Sequence, residues 1–338
     1  MLIGDIESLE LELTSRCNAA CPQCPRQMNK YVAGLDHKRE LTLENLKSWI
    51  PKETLNSLKE VIFKGTFSEP LMSKNIEEII SWISSETSAS IKIHTNGSLR
   101  DNNFWTWLGK NLPKNSNVIF ALDGLEDTHH LYRVNTNFTK IIENAKTFIN
   151  NGGTASWQFI VFKHNEHQLD SAKKIAISMG FSEFLTIYSD RFTDEVQEYT
   201  IKKEKIKLEK SENSLTSKEM DKAAIESIVE RKVICQSLKN KEIFINWDGE
   251  VFPCCQFGIF SIKNQKTFDY QYWHKKVLSG DSFSNNLHYN TLFEILEKFN
   301  NFYNNVEKNT KISICGKFCG TNRLSSEIAQ RDYIGNQK

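Results

Sequence analysis

The sequence lacks three features that would set it apart from ordinary soluble enzymes. It has no run of 18 apolar residues, so no segment is predicted to span a bilayer. It has only 15 glycines and 6 prolines, which excludes a collagen-like or low-complexity chain. It has no excess charge, because 43 Lys and Arg face 42 Asp and Glu, and this balance argues against a nucleic-acid or anionic-membrane partner.

An export signal is also absent. The first residues read Met-Leu-Ile-Gly-Asp-Ile-Glu, where a secretion signal needs a basic stretch and then an apolar one. We therefore expect a cytoplasmic protein, whose eight cysteines stay reduced rather than forming disulfides. The cysteines fall into two separate groups of soft ligands, which predicts two metal sites. The groups are Cys17, Cys21 and Cys24, and then Cys235, Cys254, Cys255, Cys315 and Cys319.

Between the two groups, short β-rich runs alternate with amphipathic stretches. In the stretch from Ile76, for example, Ile79, Ile80 and Ile83 fall on one face of a helix. Alternating units of this kind predict an α/β fold with a parallel sheet, which right-handed crossovers can curl into a partial (β/α)6 TIM-like barrel. Chemistry in such folds collects at the C-terminal ends of the strands. The predicted strands are Leu9–Leu13, Glu60–Phe63, Ser90–His94, Val118–Leu122, Ala155–Phe162 and Phe184–Tyr188.

The composition changes after about residue 190. The stretch 191–230 is dense in Lys and Glu, and we predict a charged linker, partly helical, that joins a core barrel at 1–190 to a small α+β module at 231–338. Within the second module, Glu242–Val251 reads as a hairpin with Asp248 and Gly249 at its turn.

The first cysteine group directly follows the first predicted strand with the spacing C-x3-C-x2-C. Three thiolates within eight residues can bind three corners of a cubane iron–sulfur cluster and leave one iron open. A structural zinc site would want four protein ligands, so the triplet argues against zinc.

With this triplet in a loop after strand one, the chain resembles the radical S-adenosylmethionine (radical SAM) enzymes. The resemblance implies that the open iron of a [4Fe–4S] cluster binds the amino and carboxylate groups of SAM. It implies further that reductive cleavage of SAM gives a 5′-deoxyadenosyl radical, which abstracts a hydrogen atom from the substrate. The cofactors would carry the difficult chemistry, while the protein supplies position and a dry site.

Motifs at later strand ends also resemble the family over the first 190 residues or so. Lys64–Pro70 corresponds to a Gly-Gly-Glu-Pro-like segment that holds the SAM amino group, although Ser68 stands where a glycine is usual. Gln23 stands where an aromatic residue commonly packs on the adenine. Thr95-Asn96-Gly97 and Asp123-Gly124 follow the next two predicted strands and also match family motifs, although both are, by themselves, ordinary turn sequences. The residues implied in cofactor binding are Gly65, Thr66, Ser68, Glu69, Thr95, Asn96, Asp123 and Arg133.

The second cysteine group has the pattern C-x18-C-x60-C-x3-C when Cys255 is set aside. The stretch leading to Cys254 resembles the Trp-Asp-Gly hairpin of SPASM and twitch domains, which carry auxiliary clusters in many radical SAM enzymes. The resemblance implies one second [4Fe–4S] cluster on Cys235, Cys254, Cys315 and Cys319. A four-cysteine zinc site is the alternative. Cys255 is left as either a replacement ligand or a buried thiol.

Three functions stay open at this point. The first is oxidation of a small polar molecule, such as a sugar or aminocyclitol, with the second cluster as electron acceptor. The second is a maturase that modifies a peptide or protein side chain by thioether formation, epimerisation or oxidation. The third is a non-enzymatic metal-binding module, which predicts no SAM cleavage.

Three further expectations bear on partners and substrate. Many peptide-modifying relatives carry an N-terminal leader-peptide domain. The first predicted strand starts near residue 8, so we expect no such domain, which favours the small molecule. A flavodoxin- or ferredoxin-type protein is expected as the electron donor. The candidate substrate contacts by placement are Arg26, Gln158, Tyr188 and Arg191.

Overall fold

The computed structural model of the protein describes residues 1–28, 39–189, 191–201, 203–214, 216, 233–258, 271–278, 282–306, 315, 319 and 330–334. The chain forms two compact units, each assembled from separate stretches of sequence. The first unit comprises residues 1–16, 31–91 and 227–323, and the second comprises 17–30, 92–226 and 324–338. The division into a core barrel, a linker and a C-terminal module stays a prediction.

The described strands follow the sequence pattern closely over the first 190 residues. They are β1 (Ser8–Leu11), β2 (Glu60–Phe63), β3 (Ser90–Thr95), β4 (Asn117–Ala121), β5 (Ala155–Val161), β6 (Glu183–Tyr188), β7 (Val196–Ile201), β8 (Glu204–Glu209), β9 (Glu242–Ile245), β10 (Val251–Phe252) and β11 (Gln330–Tyr333).

The described α-helices lie mostly between these strands. They are α1 (Pro25–Met28), α2 (Leu43–Trp49), α3 (Lys52–Ser57), α4 (Ile76–Glu86), α5 (Asn102–Asn111), α6 (His129–Tyr132), α7 (Phe138–Asn150), α8 (Leu169–Met179), α9 (Gln236–Lys239) and α10 (Leu292–Asn305). Short 3-10 turns occupy Ile3–Asp5, Pro70–Met72 and Glu166–Gln168, and a π-helical turn occupies Trp273–Val277.

The sheet of the first unit has the order β10-β9-β1-β2. β1 runs parallel to both β2 and β9, while β9 and β10 form the predicted antiparallel hairpin. Gly249 has φ +80° in its turn, a conformation that glycine adopts without steric cost. The predicted Asp248-Gly249 turn is therefore found where the sequence placed it.

The sheet of the second unit has the order β3-β4-β5-β6-β11. β3 to β6 are all parallel, and β11 joins the edge at β6 in the antiparallel direction. The parallel α/β fold predicted from the alternating pattern is confirmed. β11 was not predicted.

Local signals explain where the helices begin and end. Asp101 caps α5, since its carboxylate accepts the Phe104 N–H at 3.0 Å. Gly180 ends α8 in the left-handed region at φ +85°. On α4, Ile76, Ile79, Ile80 and Ile83 are all buried, as their spacing predicts. Among the described residues, no helix combines the length and hydropathy needed to cross a bilayer.

Part of the predicted linker folds as strands. Residues 196–201 and 204–209 form an antiparallel hairpin in which β7 pairs with β8. The partly helical linker over 191–230 stays a prediction. Alternation of apolar and polar residues explains the hairpin. The apolar residues are Tyr199 and Ile201 on β7 and Ile206 and Leu208 on β8, and polar or charged residues separate them. This spacing puts the apolar side chains on one face of a two-stranded ribbon. Residues 217–230 of the predicted linker lie outside the described residues.

Candidate iron–sulfur centres and cofactor segments

The three cysteines of the first group pack around one apolar cluster in the second unit. We call this the cysteine-loop cluster, and its buried members are Ala19, Cys21, Tyr132, Phe162, Phe192 and Leu208. Cys17 and Cys24 are half-buried and pack against it. The structure therefore brings the predicted triplet together over an apolar floor.

The backbone of the cysteine loop is held by hydrogen bonds. The Ala20 N–H donates to the carbonyl of Val134 at 2.9 Å, and the Cys24 N–H donates to the carbonyl of Cys21 at 2.9 Å. The Cys24 carbonyl accepts the Gln27 N–H at 2.8 Å, in the first turn of α1. These bonds fix the spacing of the cysteines before any ligand is bound.

An ion pair between the half-buried Arg133 and the buried Asp123 lies against Cys21. The Arg133 Nε donates to Asp123 at 2.5 Å, and the Arg133 Nη1 lies 3.7 Å from the Cys21 Sγ. The second oxygen of Asp123 accepts the Ile160 N–H at 2.6 Å. Burial raises the pKa of the Cys21 thiol to about 11, and the Arg133 guanidinium works in the opposite direction. A metal would deprotonate such a thiol outright.

Two residues predicted to touch the cofactor are engaged within the loop network. The Asn96 amide donates to the Asn18 side chain at 2.8 Å, and its oxygen accepts the Ser98 N–H at 3.0 Å. The Thr95 hydroxyl accepts the Gly97 N–H at 2.9 Å. Both lie at the end of β3, so this strand end orients the residue that follows Cys17.

Gln23 occupies the position where an aromatic residue was expected. Its side chain is buried, and its Oε1 accepts a hydrogen bond from the Ser189 hydroxyl at 2.7 Å. Arg191 donates to the Gln23 backbone carbonyl at 3.0 Å. The buried Gln23 amide also interacts with the Tyr199 hydroxyl of the β7–β8 hairpin, so a polar group next to Cys24 in the sequence is tied to the hairpin.

The β7–β8 hairpin packs on the same loop. Leu208 is fully buried in the cysteine-loop cluster, and Tyr199 and Ile206 are half-buried against it. The hairpin thus covers the cysteine triplet with apolar side chains. A dry surrounding of this kind influences the potential of a bound cluster.

In the first unit, the segment predicted to hold the SAM amino group folds tightly on itself. A Cβ on Gly65 would lie 2.0 Å from the Ser68 carbonyl oxygen, so no larger residue fits at that position. Thr66 is half-buried. The Glu69 N–H donates to the Arg16 carbonyl at 2.8 Å, and the buried Glu69 carboxylate accepts the Leu71 N–H at 3.2 Å.

A carboxylate directly after β1 reaches this segment. Glu12 is 1% exposed, and its Oε1 accepts the Phe67 N–H at 2.7 Å and the Ser68 hydroxyl at 2.9 Å. The Phe67 ring meets the Trp247 ring edge to face, with centroids 5.9 Å apart. The segment is therefore tied both to the end of β1 and to the β9–β10 hairpin.

The predicted ligands of the second centre also come together in the first unit. Cys254 interacts electrostatically with Cys235 and with Cys315. The Ile234 N–H donates to the Cys319 carbonyl at 2.9 Å, which brings Cys319 beside Cys235. The Tyr303 hydroxyl is buried without a hydrogen-bond partner among the described residues, and it faces Cys235 and Cys254. A cluster sulfur would accept this orphaned donor.

Cys255 has different surroundings from Cys254. Its thiol is hydrogen-bonded to the buried Glu10 of β1, and Lys64 and Glu242 also act on it. Burial raises the pKa of Cys255 well above its ordinary value. Of the two open assignments, these surroundings favour the buried thiol.

Within the part of the chain that the structure describes, no three Cys, His, Asp or Glu side chains converge closely enough to ligate one ion. A cubane places each cysteine on its own iron, so its thiolates stand farther apart than those around one zinc. The choice between a cluster and zinc at the second cysteine group stays a prediction.

Comparison with known proteins gives one relative and several similar structures. The tungsten-containing aldehyde ferredoxin oxidoreductase cofactor-modifying protein of Pyrococcus furiosus is 24% identical over 265 residues, 74% of this chain and 71% of the relative. Streptococcus suis SuiB bound to precursor peptide SuiA has a TM-score of 0.61 and 15% identity, covering 98% of this chain and 76% of SuiB. The structure of anSMEcpe with bound AdoMet has a TM-score of 0.50 and 16% identity, and the match covers 91% of this chain and 95% of anSMEcpe. No family model matches the chain.

The resemblance to the radical SAM enzymes is confirmed. The neighbours show the fold, and the similarity to SuiB covers 98% of this chain.

The four candidate substrate contacts divide into two that have side-chain hydrogen-bond contacts and two that are described by their burial. Arg191 is bonded to the cysteine loop, and Tyr188 accepts a 3.5 Å contact from Asn213. Gln158 on β5 and Arg26 on α1 are half-buried. All four lie in the second unit, and their role toward a substrate stays a prediction.

Sequence reasoning missed two residues that the structure places at the sites. Glu12 was passed over, although Leu9, Leu11 and Leu13 alternate with acids and so indicate a strand with one polar face. Tyr303 gave no usable signal, because an aromatic residue in an amphipathic helix is ordinarily packed in the core.

Proposed function

We propose that this chain is a radical SAM enzyme in which Cys17, Cys21 and Cys24 hold a catalytic [4Fe–4S] cluster. The observation that carries the proposal is the packing of the triplet on one apolar cluster, with the Arg133 guanidinium 3.7 Å from Cys21. When bound, the cluster and SAM supply the one-electron chemistry that produces a 5′-deoxyadenosyl radical.

The protein residues then have distinct positioning roles. Arg133 offers its guanidinium to the SAM carboxylate, and the buried Asp123 holds that guanidinium in place. Asn96 orients Asn18 within the cysteine loop, and Thr95 fixes the turn after β3. The backbone of Gly65, Thr66, Ser68 and Glu69 receives the SAM amino group.

We propose that Cys235, Cys254, Cys315 and Cys319 hold a second [4Fe–4S] cluster without an open iron. The meeting of Cys235, Cys254 and Cys315, together with the unpartnered Tyr303 hydroxyl, supports this assignment. Such a cluster serves as an electron acceptor, which makes the enzyme an oxidoreductase. A flavodoxin- or ferredoxin-type protein is the proposed electron donor to the first cluster.

For the substrate, we propose a peptide or protein side chain rather than a sugar or aminocyclitol. SuiB is described with a bound precursor peptide, and anSMEcpe has been described with a bound Cp18Cys peptide. The comparisons give no support for a sugar or aminocyclitol substrate. The Pyrococcus furiosus relative is named for cofactor modification, so a cofactor-bearing protein is a second class to be tested.

Iron and acid-labile sulfide, measured on anaerobically reconstituted protein, test the two clusters. We expect about eight irons per chain, falling to about four when Cys17, Cys21 and Cys24 are all replaced by Ala. The matched variant, with Cys235 and Cys254 replaced, should also fall to about four. Zinc in place of iron in the C-terminal half would overturn the electron-acceptor role.

Formation of 5′-deoxyadenosine tests the activity and the substrate class together. With dithionite as reductant, the wild-type protein should cleave SAM, and the triple Cys→Ala variant should not. A mixed peptide library should raise 5′-deoxyadenosine above this background. A rise with sugars or aminocyclitols, and none with peptides, would return the proposal to the small-molecule oxidation.

A further inference from the structure

Ser68 departs from the glycine that the radical SAM resemblance leads one to expect, and its hydroxyl has a specific partner. It donates to the Glu12 Oε1 at 2.9 Å, and the same oxygen accepts the Phe67 N–H at 2.7 Å. Two donors from consecutive residues thus converge on one carboxylate oxygen. Glu12 is 1% exposed, so water does not compete for these bonds.

The segment around Ser68 has little freedom to move away from Glu12. Gly65 packs directly on Ser68, since a Cβ there would lie 2.6 Å from the Ser68 Oγ. Phe67 is buried against Trp247, and the Glu69 N–H is bonded to the Arg16 carbonyl. Glu12 itself is anchored, because its N–H donates to the Ile245 carbonyl at 2.9 Å. Glu12 therefore links the segment, through its carboxylate, and β9, through its backbone N–H, to the end of β1.

We propose that Glu12 is a positioning residue for SAM binding: its carboxylate fixes Phe67 and Ser68 so that the backbone of Gly65–Glu69 is presented to the SAM amino group. The inference rests on the proposed function of this segment. The inference adds Glu12, which lies outside the cofactor motifs, and it explains why a serine that can donate to Glu12 stands at position 68.

The ionisation of Glu12 supplies a signature that a purely structural role would not give. Burial, and to a smaller extent the charge of Glu10 two residues earlier, raise its pKa to about 8. The bonds from Phe67 and Ser68 act in the opposite direction. Because these bonds favour the ionised form, ionisation must in turn strengthen them. Lys64 and the Cys255 thiol face Glu10 from neighbouring parts of the fold and lower its pKa, so both favour its ionised form.

The sign of the pH effect follows from this coupling. Below about pH 8, Glu12 is mostly protonated and holds the segment weakly. As the pH rises through this value, the carboxylate forms stronger, charge-assisted bonds and the segment becomes better ordered for SAM. The SAM amino group also titrates near about pH 8, as α-amino groups do, so wild type alone cannot separate the two.

The test is equilibrium binding of SAM to anaerobically reconstituted protein between about pH 6.5 and about pH 9.5. Relative to Glu12→Gln, the wild type should gain about three- to tenfold in affinity across this range. Ser68→Ala removes one bond that lowers the Glu12 pKa, so its transition should move to higher pH. Glu10→Gln, on the same face of the strand, should move the transition to lower pH.

The outcomes separate the inference from the function on which it rests. If the wild type binds no SAM at any pH, the proposed function of the segment fails. If the wild type binds SAM and Glu12→Gln shows the same pH profile, the positioning role is overturned. Iron content reports whether each variant has folded. Should Glu12→Gln fail to take up iron, Ser68→Ala decides the question. A shift of its SAM-binding transition to higher pH supports the positioning role, and an unshifted transition overturns it.

Discussion

The rings of Phe67 and Trp247 meet edge to face with their centroids 5.9 Å apart. Phe67 belongs to the segment proposed to bind the SAM amino group, and Trp247 precedes the turn of the β9–β10 hairpin. Both side chains are buried. Trp247 of the β9–β10 hairpin therefore packs directly on the segment proposed to bind the SAM amino group.

This contact predicts that Trp247→Ala weakens SAM binding. Loss of an aromatic pair costs about 0.5–1.5 kcal/mol beyond lost burial, so SAM affinity should fall by about three- to tenfold. The measurement is SAM binding at full iron content. Trp49→Ala is the control, because Trp49 packs under Gly249 of the same hairpin without touching Phe67 in any described contact. Equal losses in both variants would attribute the effect to general destabilisation.

The Arg133 guanidinium beside Cys21 predicts a change in reduction potential. A hydrogen bond to a thiolate stabilises the more negative, reduced cluster, so Arg133→Gln should lower the potential by about 60 mV, a tenfold change in a one-electron equilibrium. An EPR-monitored redox titration without SAM measures it. Arg100→Gln serves as control, since Arg100 lies over the Phe104 ring. An unchanged potential in Arg133→Gln would show that its contact with Cys21 is electrostatically unimportant.

The contrast between Cys254 and Cys255 predicts different iron contents for two neighbouring variants. Cys255→Ala should keep about eight irons per chain, because Cys255 faces Glu10. Cys254→Ala should lose the second cluster. Loss of iron in both variants would make Cys255 a ligand and would contradict its assignment as a buried thiol.

His129 predicts acid sensitivity of the fold. It is buried, its Nδ1 accepts the Asp123 N–H at 3.3 Å, and burial lowers its pKa from 6.5 to about 3. Between these values the unfolded chain binds a proton that the folded chain does not. The free energy of unfolding therefore falls as pH decreases below about 6.5, by up to about 1.4 kcal/mol per pH unit.

His129→Asn provides the comparison, because the Asn Oδ1 can accept the same N–H while the side chain does not titrate. Thermal unfolding of the holoprotein at about pH 5 and about pH 7.5 should show a smaller loss in the variant than in wild type. Equal losses would assign the acid sensitivity to other groups.

The hairpin cover predicts the oxygen sensitivity of the first cluster. Leu208 is fully buried in the cysteine-loop cluster, so Leu208→Ala opens a cavity and lowers the free energy of unfolding by about 2–5 kcal/mol. In air, the visible absorbance of the reconstituted first cluster should bleach faster in this variant than in the wild type. Leu131→Ala is the control, since Leu131 is 37% exposed. Identical bleaching rates would mean that the hairpin does not limit access.

The strands β1 to β6 and the β9–β10 hairpin could be predicted because their information is local. Apolar alternation, the Asp101 cap and the Gly180 stop each act within a few residues. The β7–β8 hairpin was missed because Lys and Glu dominate its composition and hide the alternation of Tyr199 with Ile201. β11 pairs with β6 across a long separation that no local pattern reports.

The candidate sites divide in the same way. The cysteine triplet and Arg133 stand in motifs whose spacing carries the chemistry. The roles of Asp123 and Asn96 could not be predicted, since a motif indicates proximity to a cofactor and not which neighbour occupies the side chain. Glu12 binds Ser68 across 56 positions, a pairing that only the folded chain reveals.

The covering of the cysteine loop by the β7–β8 hairpin has a consequence for how the enzyme matures. Cys17 to Cys24 are synthesised early, and Tyr199, Ile206 and Leu208 are synthesised much later. Iron and sulfide can therefore reach the thiolates on a nascent or partly folded chain, before the apolar cover closes. Because Leu208 already packs against the cysteine loop in the folded chain, we expect a finished apoprotein to take up iron and sulfide more slowly than a chain loaded during synthesis.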